Sequence, residues 1–293
     1  AFAWKGSVTP RVMRRVLAFV AYSVVVTFIS KQLDFQGLAV TPFEFTGAAL
    51  GVLLVIRNNA GYDRWWEARK VWGGIVNQCR NLAQAGVAYG IPEDRRAEWI
   101  RWVAAFPHTA RMSLRADRNM DELAHLLTAA ERERIRPAAH MPSVVTNHLA
   151  TMISAAMRAG AIDPMTMLHL ETQRALLVDY IGMCERIIRT PIPFVYAVKV
   201  RRFILIFLAL LPVAAVGRAG WGMPAVMGVV AYSILAMDQI GVELQNPFDQ
   251  KQLSHLPLAE ICATIERDVL WVGSLPPATA VTEPISPAPT PPG

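Results

Sequence analysis

Residues 45–73 read FTGAALGVLLVIRNNAGYDRWWEARKVWG, and the fold turns on how this stretch is organised. Phe45 to Ile56 is uncharged and apolar, and after Arg57 a helical spacing of apolar and polar positions continues to Gly73. The stretch predicts one long helix that leaves a membrane and carries on into water. Working outward, Val16 to Ser30 is a second uncharged apolar run, preceded by Arg11, Arg14 and Arg15. With its flanks it reaches the length of about 20 residues that a spanning helix needs. A secretory signal is the alternative for that run, but no small-x-small cleavage site follows it and the next apolar run comes almost at once. Phe203 to Val216 follows Lys199, Arg201 and Arg202, and Trp221 to Met237 follows it across the short turn GRAG, so these two runs predict a helical hairpin.

Four spans place both termini on one side. The basic flanks Arg11/Arg14/Arg15, Arg64/Arg69/Lys70 and Lys199/Arg201/Arg202 fall on that same side, which the positive-inside bias identifies as the cytoplasm. The expected location is therefore the cell inner membrane, with multiple passes and cytoplasmic termini. The opposite side keeps only two short connections, too small for a folded domain. Composition agrees: 53% of the 293 residues are apolar and 18% charged, against roughly 45–50% and 25% in soluble domains, and the mean hydropathy is +0.30. The net charge of +6 follows from topology and says nothing about the sign of a ligand.

The expected fold class is all-α, a multi-pass membrane protein with four transmembrane helices and a helical cytoplasmic region. We divide the chain into residues 1–75 with spans one and two, 76–198 as the cytoplasmic region, 199–240 with spans three and four, 241–273 as a C-terminal helical segment, and 274–293 as a Pro-rich tail too rich in proline to fold. Pro92, Pro107, Pro137, Pro142 and Pro164 are expected at helix ends in the cytoplasmic region.

Enzymatic chemistry finds no support. There is no H-E-x-x-H, P-loop, G-x-G-x-x-G or G-x-S-x-G. The six histidines are scattered, and His140 and His148 share a helix face only if Pro142 does not break it, so no metal site is expected. Cys79, Cys184 and Cys262 lie too far apart to frame a disulfide scaffold or chelate zinc, and read as buried thiols. Glu131 and Glu133 in ERERIR read as a solvated helix face, and the basic residues carry no nucleic-acid recognition module.

The second span offers more. Gly47 and Gly51 form G-x-x-x-G, which allows close helix packing. Beside them Ala48, Val52 and Ile56 recur every four residues as an uncharged stripe. Such a stripe faces lipid or core in most helices. If copies of the helix surround an axis, it becomes a hydrophobic constriction that gates ions by dewetting. No acid–base pair is expected within the spans, which argues against a coupled transporter and favours an oligomeric pore.

At this point the chain resembles the bestrophin family, particularly its shorter bacterial members, over nearly its whole length up to the tail. The resemblance is carried by Trp4-Lys5-Gly6-Ser7, Arg64-Trp65-Trp66, Asp163-Pro164, Ile192-Pro193-Phe194-Val195-Tyr196 and Asn246-Pro247-Phe248, in that order and spacing. It implies a homopentameric ion channel with a hydrophobic neck along the five-fold axis and a second constriction at its cytoplasmic end. The Arg-Trp-Trp anchor puts the neck at Ala48, Val52 and Ile56, and Asp-Pro puts the cytoplasmic aperture at Met165. The resemblance slightly favours monovalent cations, with chloride the close alternative. Two departures matter. Calcium-gated members carry an acidic run after Asn-Pro-Phe, whereas this chain has Asp249-Gln250-Lys251-Gln252, so no calcium or other cofactor is expected. The neck begins with a small Ala48 and has no aromatic ring, which makes it wider or easier to wet. The competing function is a non-conducting membrane scaffold or sensor that binds a partner through its cytoplasmic helices and Pro-rich tail.

Overall fold

The computed structural model describes residues 7–89 and 91–275. Trp4-Lys5-Gly6 and residues 276–293 of the Pro-rich tail lie outside the described residues. Within them the regular structure is helical, with no strand: α1 (Thr9–Gln32), α2 (Thr41–Tyr89), α3 (Glu93–Arg115), α4 (Ala129–Ile135), α5 (Met141–Arg158), α6 (Pro164–Arg189), α7 (Phe194–Ala219), α8 (Met223–Glu243) and α9 (Leu258–Ser274), with 3-10 turns at Asp121–Leu123 and Gly220–Gly222. The decisive stretch is one helix, as its periodicity predicts. Two apolar stretches are long enough to cross a membrane by length and composition, Thr9–Gln32 and Val195–Glu243. The second contains α7 and α8. The apolar part of α2 does not reach that standard, because Arg57 cuts its run short.

The described residues form two compact units, one within 7–69 and 186–256, the other within 70–185 and 257–275. These boundaries differ from those drawn on composition. The first falls at 69/70, six residues before the expected one, and α9 belongs to the second unit instead of standing alone. The first difference arises because α2 runs unbroken through 69/70, and a continuous helix gives no composition shift to mark a boundary; α9 joins the second unit because it packs against α3.

In the first unit α1 packs against α7 and α8. Val12, Val16, Leu50, Leu54, Leu208, Met227 and Leu235 form its core. Pro10 sits in the first turn of α1, where its missing amide costs nothing. Ser23 and Thr27 are buried in α1, and each returns its hydroxyl to a carbonyl of its own helix, Val20 at 2.7 Å and Ser23 at 2.7 Å, so neither hydroxyl is orphaned. The connection before α2 locks onto the end of α7 through two glycines. Gly37 adopts φ +85°, and a Cβ on Gly217 would lie 1.7 Å from the Gln36 carbonyl oxygen.

The second unit is built around α3, which packs against α5 and α9. Trp72, Trp99, Trp102 and Phe106 are fully buried. Gly86 gives Trp99 its space, since a Cβ there would meet the indole nitrogen at 2.1 Å. The prolines behave differently from expectation in one case. Pro92 precedes α3, Pro142 and Pro164 lie in the first turns of α5 and α6, and Pro137 follows α4, but Pro107 lies inside α3. Burial of α3 from Trp102 to Met112 outweighs the hydrogen bond a mid-helix proline forfeits. His140 is the N-cap of α5, accepting from the Ser143 amide at 3.2 Å, so Pro142 starts this helix and does not break it.

Cys79, Cys184 and Cys262 are all buried. Burial pushes the Cys79 thiol up and the Cys262 thiol up to about 12, so both are protonated packing groups. Glu131 is more than a solvated charge. It closes a capping box with Thr128 at the start of α4 and accepts from the Trp102 indole at 3.2 Å.

Candidate functional site

An α-helix turns about 100° per residue, and on α2 this separates two faces. Leu50, Leu54, Arg57, Gly61 and Ala68 form the buried face. Opposite them lie Ala48, Val52 and Ile56, all exposed, Val52 at 60% and Ile56 at 54%. The three neck candidates thus share one outward stripe of the first unit. Of the two packing glycines, Gly47 meets the ring of Phe207 on α7, where a Cβ would sit at 3.3 Å, while a Cβ on Gly51 would have nothing within 4 Å. Among the described residues, no helix therefore packs on Gly51.

What holds the buried face in place is ionic, and the sequence reading missed it. Arg57 is fully buried and paired with the buried Asp238 of α8, and Arg201 reaches the other oxygen of that carboxylate at 3.7 Å. Arg57 and Asp238 each lie one residue past an apolar run, 181 positions apart, and no local period connects them. A second pair joins Arg11 to the buried Glu243, whose carboxylate also accepts from Gln239 at 2.8 Å and from the Leu253 amide at 2.8 Å. Arg11 further donates to the Lys251 carbonyl at 2.7 Å.

The Arg-Trp-Trp motif is an anchor with a physical basis. The Arg64 guanidinium donates to the carbonyls of Ile187 and Thr190 at the end of α6, and to Gln245 just after α8 at 3.2 and 3.3 Å. It so satisfies carbonyls that two helix ends leave open. The Trp65 indole donates to the Ser254 carbonyl at 2.7 Å. Asn-Pro-Phe likewise organises the loop after α8: Asn246 accepts from the Phe248 amide at 3.2 Å, Phe248 is fully buried, and the Leu256 amide returns to the Pro247 carbonyl at 2.7 Å. Asp249 accepts from the Lys251 amide at 2.9 Å. Among the described residues no cluster of three or more His, Cys, Asp or Glu could hold a metal ion.

Met165 belongs to the second unit, in the first turn of α6, and is 74% exposed. Asp163 fixes that turn, accepting from the amides of Met165 at 2.7 Å and Thr166 at 3.0 Å. These amides hold the Asp163 carboxyl below the usual carboxylate range, the Thr166 contact contributing most. Met165, Thr166, His169 and Tyr89 line a shallow cavity of about 250 Å³, with the Tyr89 and His169 rings edge to face at 5.5 Å.

Comparison with known proteins adds to this geometry. A family model described as Bacterial/Fungal Bestrophin protein matches residues 1–271. The chain is 33% identical over 280 residues to a voltage-dependent anion channel-forming protein of Mesorhizobium japonicum, covering 94% of this chain and 90% of that one. It is 30% identical over 272 residues to the voltage-dependent anion channel-forming protein YneE of Escherichia coli, covering 92% and 89%. The crystal structure of a bacterial bestrophin homolog from Klebsiella pneumoniae is similar, with a TM-score of 0.82 and 28% identity over 90% of this chain and 99% of that one.

Proposed function

The chain belongs to the bacterial and fungal bestrophin family, and on that premise we propose that it is one subunit of a homopentameric ion channel in the cell inner membrane, both termini cytoplasmic. The observation that carries this reading is the outward stripe of α2. Ala48, Val52 and Ile56 are exposed and uncharged while the opposite face is locked by Arg57, Leu50 and Leu54. Around an axis the stripe becomes a hydrophobic neck whose wetting controls conduction, and Met165 forms the cytoplasmic aperture. The open strip at Gly51 then receives a neighbouring subunit. The conducted species are small monovalent ions. The relatives' names point to anions, and an uncharged neck leaves the sign of the ion to charges elsewhere along the path. No catalytic chemistry and no cofactor are part of this reading, and the single carboxylate of Asp249-Gln250-Lys251-Gln252 leaves calcium without a clasp.

The test is the current carried by purified protein in planar bilayers, with cross-linking to count subunits. The channel conducts, and Val52→Ala and Ile56→Ala raise its open probability. An intact pentamer that passes no current, or neck variants with unchanged single-channel behaviour, removes the assignment.

A further inference from the structure

The α2 stripe does not end at Ile56. At about 100° per residue the face that carries Val52 returns at Asn59 and again at Asp63, and both side chains are exposed. Asp63 differs from the other carboxylates on this part of α2. Glu44 lies 3.6 Å from Arg218 and Glu67 is paired with Arg186, whereas Asp63 has no hydrogen-bond or ion-pair partner among the described residues. Its neighbour Arg64 does not neutralise it, because that guanidinium is turned inward onto the carbonyls of Ile187, Thr190 and Gln245. Tyr62-Asp63-Arg64 thus presents an unpaired carboxylate on the neck's own face and hides the adjacent cation, the next cation in that phase being the exposed Lys70, seven residues further along the helix.

We propose that Asp63 is a selectivity-determining residue. Given the channel reading above, its copies form a ring of carboxylates about 10 Å along the helix from Ile56, with a ring of Asn59 amides between. A ring of like charges beside an uncharged constriction raises the local concentration of the opposite ion and lowers that of its own sign. Asp63 therefore favours cations at the cytoplasmic mouth of the neck.

The experiment measures reversal potentials of the full-length protein in planar bilayers under a NaCl gradient. Asp63→Asn lowers the sodium-to-chloride permeability ratio about fivefold, and Asp63→Lys lowers it further. Asp63→Cys, assembled first and then labelled, adds a readout independent of folding: a sulfonate-bearing thiol reagent moves the sodium-to-chloride permeability ratio back toward the parent's and a trimethylammonium reagent moves it further away. Cys79, Cys184 and Cys262 are buried and do not compete for label. A conducting Asp63→Asn protein with the parent's permeability ratio, or labels of opposite charge with the same effect, overturns the proposal while leaving the channel reading intact. A parent pentamer without current overturns the channel reading itself.

Discussion

The two compact units solve opposite packing problems. The first is apolar inside and out: Val12, Leu54 and Leu208 are buried, and Phe28, Ile206 and Val229 are as apolar but exposed, Val229 at 69%. The second separates the two, with Trp72, Trp99 and Trp102 at zero exposure and pairs such as Arg95–Glu98 at 2.8 Å and Arg174–Glu171 at 2.7 Å one helical turn apart on its helices. In the second unit the hydrophobic effect chooses which face of each helix turns inward. In the first it cannot, since α7 is apolar on every side from Phe203 to Val216. Helix orientation there depends on close glycine contacts and on buried ion pairs.

That contrast can be broken most severely at Gly217. A side chain there collides with the Gln36 carbonyl, so Gly217→Val costs more than about 4 kcal/mol, the range of the most damaging point mutations. Recovery from detergent and size-exclusion chromatography will show loss of the folded species. Gly182 in the second unit is the control. A Cβ there meets nothing within 4 Å, and Gly182→Ala is neutral or stabilising by up to about 1 kcal/mol.

Next in size are the ion pairs. Asp238→Ala leaves Arg57 buried without its carboxylate, at a cost of about 3–5 kcal/mol in denaturation measured in detergent. Glu171→Gln in the second unit removes a partly solvated pair of consecutive turns and costs about 0.5 kcal/mol or less. Equal losses for the two would erase the distinction between the units.

A pH titration sharpens the comparison further. His108 of the second unit is buried, with Glu266 at 2.8 Å, Glu122 at 3.8 Å and Arg111 and His125 in the same network. Burial holds its imidazole below the ordinary 6.5, with Arg111 and His125 acting in the same direction and Glu266 pulling against them. The folded state thus disfavours the proton that the unfolded chain takes up. The stability His108 contributes is complete above 6.5 and declines as pH falls through 6.5 toward its lower folded value. Melting curves of the parent should fall over that window, and His108→Gln should flatten the slope.

The smallest structural effect is expected at Met165. It is exposed in the second unit, so Met165→Ala leaves the unfolding free energy within about 0.5 kcal/mol of the parent's. On the channel reading it alters relative permeability more than open probability. A reversal potential identical to the parent's would remove Met165 from the ion path.

Much of the candidate site was legible because it lies on one helix. The period of α2 alone sets Ala48, Val52 and Ile56 on a common line, and the same phase carries on to Asp63, though the sequence reading stopped at the end of the apolar run. Arg57–Asp238 was illegible, since its partners come from helices 181 positions apart and each looks like the polar end of its own apolar run. Arg64 was legible as a motif but not as an anchor, for its partners are backbone carbonyls, which no side-chain pattern records.

The sequence by itself determined the helical class, the long α2, the hairpin of α7 and α8, and the uncharged stripe, because each depends on residues within a few turns of one another. Only the tertiary structure decided that Pro107 continues a helix, that Gly47 meets Phe207, that Arg57 is buried beside Asp238, and that among the described residues Gly51 stays open and Asp63 has no partner. Those outcomes depend on which distant chain segment arrives at a given face. In a unit apolar on both surfaces, hydrophobic pattern does not specify that arrival.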